Sequence, residues 1–214
     1  MTDRPIRDAA TIVLLRQTDN GPAVLMGQRG AGAAFMPSKY VFPGGAVDPG
    51  DGAVDLAAPI HPDTRAALTT RSTLAPEALA AAALRELAEE TGQVIAAPGP
   101  SGCSWPGFDG LCPDPSALRF IFRAVTPPGR PRRFDARFFL APAEILMTDP
   151  DDFSRAEDEL SHLHWVPLAQ ARKLDMPFIT EVVLAETAAI ADGTDAPGTP
   201  FFDNSGPAST FRRL

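Results

Sequence analysis

The stretch PEALAAAALRELAEET, residues 76–91, followed at once by Gly92, decides the reading of this chain. Alanine, leucine and glutamate are the strongest helix formers. Pro76 suits a first turn, where its missing N–H has no intrahelical partner to lose, and Gly92 stands where a left-handed residue ends a helix. The pattern predicts one helix over 76–91, with Leu79, Ala83, Leu84 and Leu87 as its core stripe and Arg85, Glu86, Glu89 and Glu90 projecting from the remainder. Three carboxylates at positions i, i+3 and i+4 then lie about one turn apart. Their mutual repulsion costs about 0.2–0.5 kcal/mol per pair, tolerable on a solvated face with Arg85 paired to Glu89. The arrangement is better explained if cations sit between the groups, and all-oxygen ligands suit Mg²⁺ or Mn²⁺.

Working outward from this helix, residues 9–16 (AATIVLLR) and 23–28 (AVLMGQ) are apolar runs of strand length separated by the turn-like Asp19-Asn20-Gly21-Pro22, and read as a hairpin. Tyr40-Val41-Phe42 reads as a short strand running into a sharp turn at Pro43-Gly44-Gly45. Residues 52–75 read as a loop carrying one short helix near 62–68. Beyond Gly92, residues 93–97, 134–141 and 163–166 have strand character, and 167–174 and 179–191 are helical in pattern. Residues 98–115 form a Gly/Pro-rich segment long enough to suggest a functional insertion or mobile cover, and 195–214 a loosely held tail. The expected organisation is therefore one domain over 1–194 plus that tail, with no internal repeat.

The bulk composition narrows the function classes. A formal charge of -8 argues against a nucleic-acid backbone as the main partner, because such binding is driven by Lys and Arg neutralising phosphates. A small anionic substrate stays open, since carboxylates that hold divalent cations turn a negative site into a phosphate-binding one. No apolar run reaches the length of a bilayer span and the first ten residues are polar, so a membrane role is not expected and the location expected is cytoplasmic. Cys103 and Cys112 have no third cysteine or histidine near them, and neither a metal nor a disulfide role is expected of them.

The run Arg85-Glu86-Leu87-x-Glu89-Glu90-x-Gly92 resembles the second half of the Nudix box, and Gly45 with Asp51 six positions on resembles its first half. The chain departs from that pattern in having Asp51 for the usual Glu, Gln93 for an apolar residue whose packing role Val94 could take, and 33 residues, 52–84, between Asp51 and Arg85 where the family has seven. A subgroup similar to the coenzyme A diphosphatases carries an insertion inside the box. Phe35-Met36-Pro37, residues 41–48, Val125-Thr126-Pro127 and residues 132–141 also resemble that subgroup. The resemblance implies an α/β/α sandwich with a mixed β-sheet, the 76–91 helix on one face, and a helix-loop insertion, 52–75, within the box.

The resemblance further implies that Glu89 and Glu90 bind divalent metal, Mg²⁺ or Mn²⁺, with the Gly45 carbonyl as a further ligand, Glu86 binding metal or positioning water, and Arg85 holding the carboxylates. Asp51 is either a metal-binding or supporting carboxylate or a solvated loop residue, and Asp48 is similar. The family often takes its general base from a loop outside the box, and in the cluster Glu157-Asp158-Glu159 the choice falls on Glu159. Arg132, Arg133 and Arg137 are the candidates for gripping substrate phosphates, against the alternative of charge on a strand edge. Trp105, Phe108 and Phe120 could stack on a base, though such aromatics are more often core. The implied reaction is water attack on a nucleotide-like diphosphate: coenzyme A or an acyl-CoA giving 3',5'-ADP and (acyl-)phosphopantetheine. The alternatives are ADP-ribose, NADH or another nucleoside diphosphate, or a non-catalytic ligand-binding module. Related proteins are often homodimers, which is analogy only.

Overall fold

Residues 76–91 do form a helix, and what surrounds it sets the architecture. In a computed structural model describing residues 5–33, 35–99, 105–206 and 208–214, the elements run as follows. The first half contains β1 (Ile6–Arg16), β2 (Ala23–Arg29), β3 (Tyr40–Val41), β4 (Gly44–Ala46), α1 (Pro62–Thr69), α2 (Pro76–Thr91), β5 (Ala96–Ala97) and β6 (Cys112–Pro113). The second contains β7 (Arg119–Val125), β8 (Arg133–Pro142), β9 (Leu160–Pro167), α3 (Leu168–Ala171), α4 (Phe178–Ala191), β10 (Pro200–Asp203) and β11 (Thr210–Arg213).

Nine strands make one mixed sheet whose main path is β11-β10-β7-β8-β1-β2-β3. The pairs β1 with β8 and β10 with β7 are parallel; the rest are antiparallel. Alternation along β1 feeds two cores. Ala10, Ile12 and Leu14 lie with Leu79, Leu84 and Leu87 of α2 and Leu68 of α1, whereas Val13 lies with Val183 and Leu184 of α4 on the other face. The three-layer sandwich anticipated from the sequence follows from these two cores.

One edge of β1 serves two different partners. Leu15 and Arg16 pair with β2, closing the expected hairpin only beside its turn, while Ala9, Ala10 and Thr11 pair with β4. Pro43-Gly44-Gly45 is thus a strand entry rather than a free turn. At Gly44 a Cβ would stand 2.6 Å from the Ala10 carbonyl oxygen and from Thr11 Cα, so the strand can approach β1 this closely only without a side chain. Further along, β2 pairs with β9 and β3, and the sheet forks. The C-terminal half of α2 lies over this fork, against both β4 and β9.

Several sequence expectations need correction. The 195–214 segment is no loose tail: β10 and β11 extend the sheet beside β7, Phe201 and Asn204 are buried, and the Asn204 amide donates to Val125 O (2.9 Å). Strand β7, for which no strand was expected, lies at the centre of that half of the sheet. In segment 98–115 the described part is anchored to the core by Phe108, Cys112, Pro113 and Pro115, Phe108 being buried beside Trp105 (ring centroids 5.3 Å apart), while residues 98, 99, 106, 107, 109 and 110 are exposed. Phe108 and Phe120 belong to the core and are not free to stack on a base. Cys112 is disulfide-bonded, contrary to expectation, and Cys103 lies outside the described residues. Gln93 is fully buried in the place an apolar residue was expected. Its amide donates to Asp149 O and Asp152 O and accepts from Thr148 Oγ1, so the polar group is satisfied while Val94 also packs inside. No helix among the described residues is long and apolar enough to cross a membrane.

Candidate active site

Helix α2 ends on Gly92 at φ 73°, the left-handed conformation its sequence position calls for. A second constraint acts there, because a Cβ on Gly92 would meet Arg155 Cβ at 2.9 Å. The 155–159 loop therefore lies directly on the helix end, and Glu157 N donates to Glu89 O (2.8 Å). The loop carrying the acidic cluster is pinned beside the α2 carboxylates by backbone contacts.

Arg85 is the hub. Its Nε and Nη2 donate to the two Asp51 oxygens (2.9 and 3.1 Å), Nη1 to Glu86 Oε1 and Glu89 Oε2 (2.9 Å each), and Nη2 also to Ala46 O (3.0 Å). All five guanidinium N–H groups are thereby used. Burial acts to lower the pKa of Arg85, but hydrogen bonds and charge from Asp51 and Glu86 more than offset it and leave it raised. Asp51 is 2 % exposed, and its oxygens accept from Arg85 and from the Asp48 amide (2.8 Å). Asp51 is therefore no solvated loop residue: its carboxylate anchors Arg85. Asp48 is exposed, with Arg7 at 4.0 Å.

Glu86 and Glu90 are buried, not projecting into solvent as the helical pattern suggested. Glu90 Oε2 accepts from the Gly44 amide (2.7 Å), but Oε1 is buried with no hydrogen-bond partner. Burial raises Glu90 to about 8 against the pull of that amide, and the charges of Glu86 and Glu159 add to the rise. Burial likewise raises Glu86 to about 7, against Arg85 and with Glu89 and Glu159 adding to the rise. Glu89 is the outer member, its side chain 42 % exposed. Glu86 rests on Gly45: a Cβ there would lie 2.5 Å from Glu86 Cδ. A Gly45→Ala protein is therefore expected to displace the Glu86 carboxylate and lose at least about tenfold in kcat with a modest fall in Tm. Unchanged kcat in a steady-state assay would mean that the Gly45 contact is incidental.

Sequence reasoning missed Arg29, a single cation at the end of β2 with no local signal around it. Its Nη2 donates to Glu159 Oε1 (2.7 Å), its Nε is buried without a partner, and its charge acts on Glu90. Glu159 is thus brought to the carboxylates as expected, but in an ion pair. Five carboxylates, Asp51, Glu86, Glu89, Glu90 and Glu159, meet two guanidiniums, Arg85 and Arg29. Among the described residues no three acidic, His or Cys side chains converge on one point, since Arg85 occupies the facing oxygens of Glu86 and Glu89.

The three arginines expected at substrate phosphates are separated by the fold. Arg137 is buried, bonded to Asp8, Asp135 O and Ser72 Oγ, and burial lowers its pKa. Arg133 is buried and donates to Thr126 O and Asn204 O. These two guanidiniums tie strands and loops together inside the protein. Only Arg132 is exposed.

Comparison with known proteins places this geometry. The family model of the NUDIX domain matches residues 75–186, beginning one residue before α2. A solved Nudix hydrolase from Alicyclobacillus acidocaldarius is 30% identical with a TM-score of 0.63, over 91% of this chain and 98% of that one. The NUDIX domain of Shewanella oneidensis NrtR, complexed with ADP ribose, is 15% identical (TM-score 0.53; 87% of this chain, 89% of that one). A C. elegans Ap4A hydrolase is 17% identical (TM-score 0.52; 88% and 99%). These last two share the fold. No curated protein sequence matches. Nudix hydrolases as a family use divalent metals. With over half its length matched by the family model and its carboxylates ordered along one helix, this chain belongs to the Nudix family of hydrolases, enzymes that split diphosphate bonds.

Proposed function

We propose that the chain hydrolyses the diphosphate bond of a nucleotide-like ester with Mg²⁺ or Mn²⁺ held by Glu86, Glu89, Glu90 and the Gly45 carbonyl. The observation that carries this reading is Glu90 Oε1, a carboxylate oxygen kept buried and unpartnered at the centre of an excess of negative charge. A group so placed is costly unless a cation completes it, and the all-oxygen donor set fits a hard divalent ion. When bound, such ions neutralise the diphosphate and acidify the attacking water.

The chain's own residues divide the remaining work. The Gly44 amide fixes Glu90, while Asp51 and the Ala46 carbonyl fix Arg85, which in turn orients Glu86 and Glu89. Glu86 positions the attacking water beside the metal, and Glu159, across the fork, is the base that takes its proton. Arg29, held by Glu159 at the rim, is the guanidinium best placed to meet a substrate phosphate, with Arg132 as an outer candidate. Arg133 and Arg137 serve the fold. For the substrate, the resemblance to the coenzyme A diphosphatase-like subgroup, including the insertion 52–75, supports coenzyme A or an acyl-CoA.

A product assay with Mg²⁺ or Mn²⁺ across coenzyme A, ADP-ribose, NADH and a dinucleoside polyphosphate tests the reading. Coenzyme A is expected to be cleaved fastest, giving 3',5'-ADP. Cleavage of another member fastest overturns the substrate assignment, and cleavage of none returns the fold to a ligand-binding role. In the same assay Glu89→Gln is expected to lose about 10²–10³-fold in turnover while keeping the wild-type Tm, because Glu89 is half-exposed. Wild-type turnover in that variant would remove Glu89 from the metal set.

A further inference from the structure

Helix α4 is apolar on both its sides, yet the fold uses only one of them. Thr180, Val183, Leu184 and Thr187 are its buried residues, and the two aliphatics pack into the core that holds Val13, Phe122 and Phe138. On the opposite side Phe178, Val182, Ala185 and Ala189 recur at spacings of four, three and four, which places them within about 60° of one another around the helix. Phe178 is 67 % exposed. Of the fourteen residues of α4 only Glu181 and Glu186 are charged, and Glu186 is spent on Arg213 of β11 (3.4 Å). Phe211, 61 % exposed, widens the apolar surface on this side of the sheet, since it lies against Phe202 and Phe122 (ring centroids 6.5 Å in each case). A helix that meets water normally shows it a polar face, and one that is apolar all round is normally covered.

The stripe has the shape of its own partner. Its larger residues, Phe178 and Val182, occupy the N-terminal half and its small ones, Ala185 and Ala189, the C-terminal half. Two copies of α4 related by a two-fold axis run antiparallel, which sets Phe178 against Ala189 and Val182 against Ala185 at each of two equivalent contacts. A parallel pair would set Phe against Phe and Ala against Ala, spreading the helices at one end and leaving a void at the other.

Charge favours the same order. Arg172 and Lys173, exposed just ahead of α4, and Asp192, exposed at its C-cap, have no side-chain partners among the described residues. The antiparallel pair brings each Asp192 to the Arg172–Lys173 end of the other copy. Other covers fit less well. No stretch of this sequence outside the described residues is longer than five residues, which reach at most about 18 Å against a helix of about 21 Å. A membrane surface is attracted by Lys and Arg beside the apolar face, and α4 has neither.

We propose that α4 is the seam of a homodimer, in which the Phe178–Ala189 stripes of two chains pack antiparallel with Asp192 of each facing Arg172 and Lys173 of the other. The proposal is independent of the reaction.

Sedimentation velocity and light scattering of the full chain between about 1 and 100 µM test it. The wild type is expected to pass from its 22.7 kDa monomer to twice that mass within this range. Phe178→Glu and Ala185→Glu, both at exposed positions, are expected to remain monomeric throughout while keeping the wild-type Tm. Asp192→Lys alone should weaken association about tenfold, and its combination with Arg172→Glu and Lys173→Glu should restore it. A wild type still monomeric at about 100 µM, or a dimer that survives both glutamate substitutions, overturns the seam. A charge swap that restores nothing overturns the antiparallel order. Binding of the wild type to phosphatidylglycerol vesicles, lost in Phe178→Glu, overturns the proposal by giving the stripe to a membrane surface.

Discussion

Glu90→Gln is expected to produce a protein about 10²–10³-fold slower in turnover yet more stable than the wild type in EDTA at pH 8.5. The two effects have one origin. Glu90 lies 2 % exposed with Oε1 unpartnered, so its charge is unwelcome in the metal-free fold and useful only once a cation sits against it. Its folded-state pKa of about 8 lies above the ordinary 4.5, so between these values the folded protein binds more protons than the unfolded one. Stability therefore falls as pH rises through that window, and the penalty is complete above about pH 8. At about 1.4 kcal/mol per pKa unit the loss amounts to several kcal/mol. Glutamine keeps the acceptor for the Gly44 amide and cannot ionise, so the variant should match the wild type near pH 4 and exceed it progressively towards pH 8.5. Mn²⁺ or Mg²⁺ should close that gap by raising the wild-type Tm more at pH 8.5 than at pH 5.5, with little effect on the variant. Urea titrations of both proteins at those pH values decide the matter, and parallel stability profiles would mean that Glu90 is not the buried charge described.

What was legible in the sequence is what local chemistry controls. The span of α2 and its stop at Gly92 follow from helix propensity and from the need for a left-handed residue. The carboxylate spacing follows from helical geometry. Burial of Glu86 and Glu90 was not legible, because it depends on β4 and the 155–159 loop closing over a face that by composition alone reads as solvated. Strand β7 was hidden in RFIFRAV, a short apolar run after a Gly/Pro-rich segment, whose alternation is broken by the register shift between Phe120 and Phe122. The β10–β11 hairpin was hidden by the Gly and Pro that make its turns. Arg133 and Arg137 were misjudged because clustered arginines look like a phosphate grip until their partners are known, and those partners, Asp8, Ser72 and Asn204, lie 65 to 129 positions away in sequence although they touch in space. Arg29 had nothing beside it to mark it.

Replacing Arg85 should be the most damaging change at the site to stability and rate together. An exposed salt bridge contributes about 1 kcal/mol or less, and its removal leaves catalysis alone. Arg85 is only 13 % exposed, and Arg85→Met would strand Asp51, itself 2 % exposed, with the Asp48 amide as its one hydrogen-bond donor, while freeing Glu86 and Glu89 from the contacts that orient them. Loss of one partner from a buried pair costs about 3–5 kcal/mol, and misplacing the carboxylates should lower kcat by about 10²-fold or more. Arg85→Lys keeps the charge but has three donors on a point, where five in a planar fork are in use, so it should fall between the two. The double change Arg85→Met with Asp51→Asn separates the causes. Removing the stranded charge should recover at least about 1 kcal/mol of stability, as coupled neighbours do, and recover none of the rate, because nothing then orients Glu86 and Glu89. Urea denaturation and steady-state kinetics on these three proteins and on Asp51→Asn alone measure both quantities. Additive stabilities, or a rate that returns with Asp51→Asn, would reduce Arg85 to the surface ion pair that its helix position alone suggests.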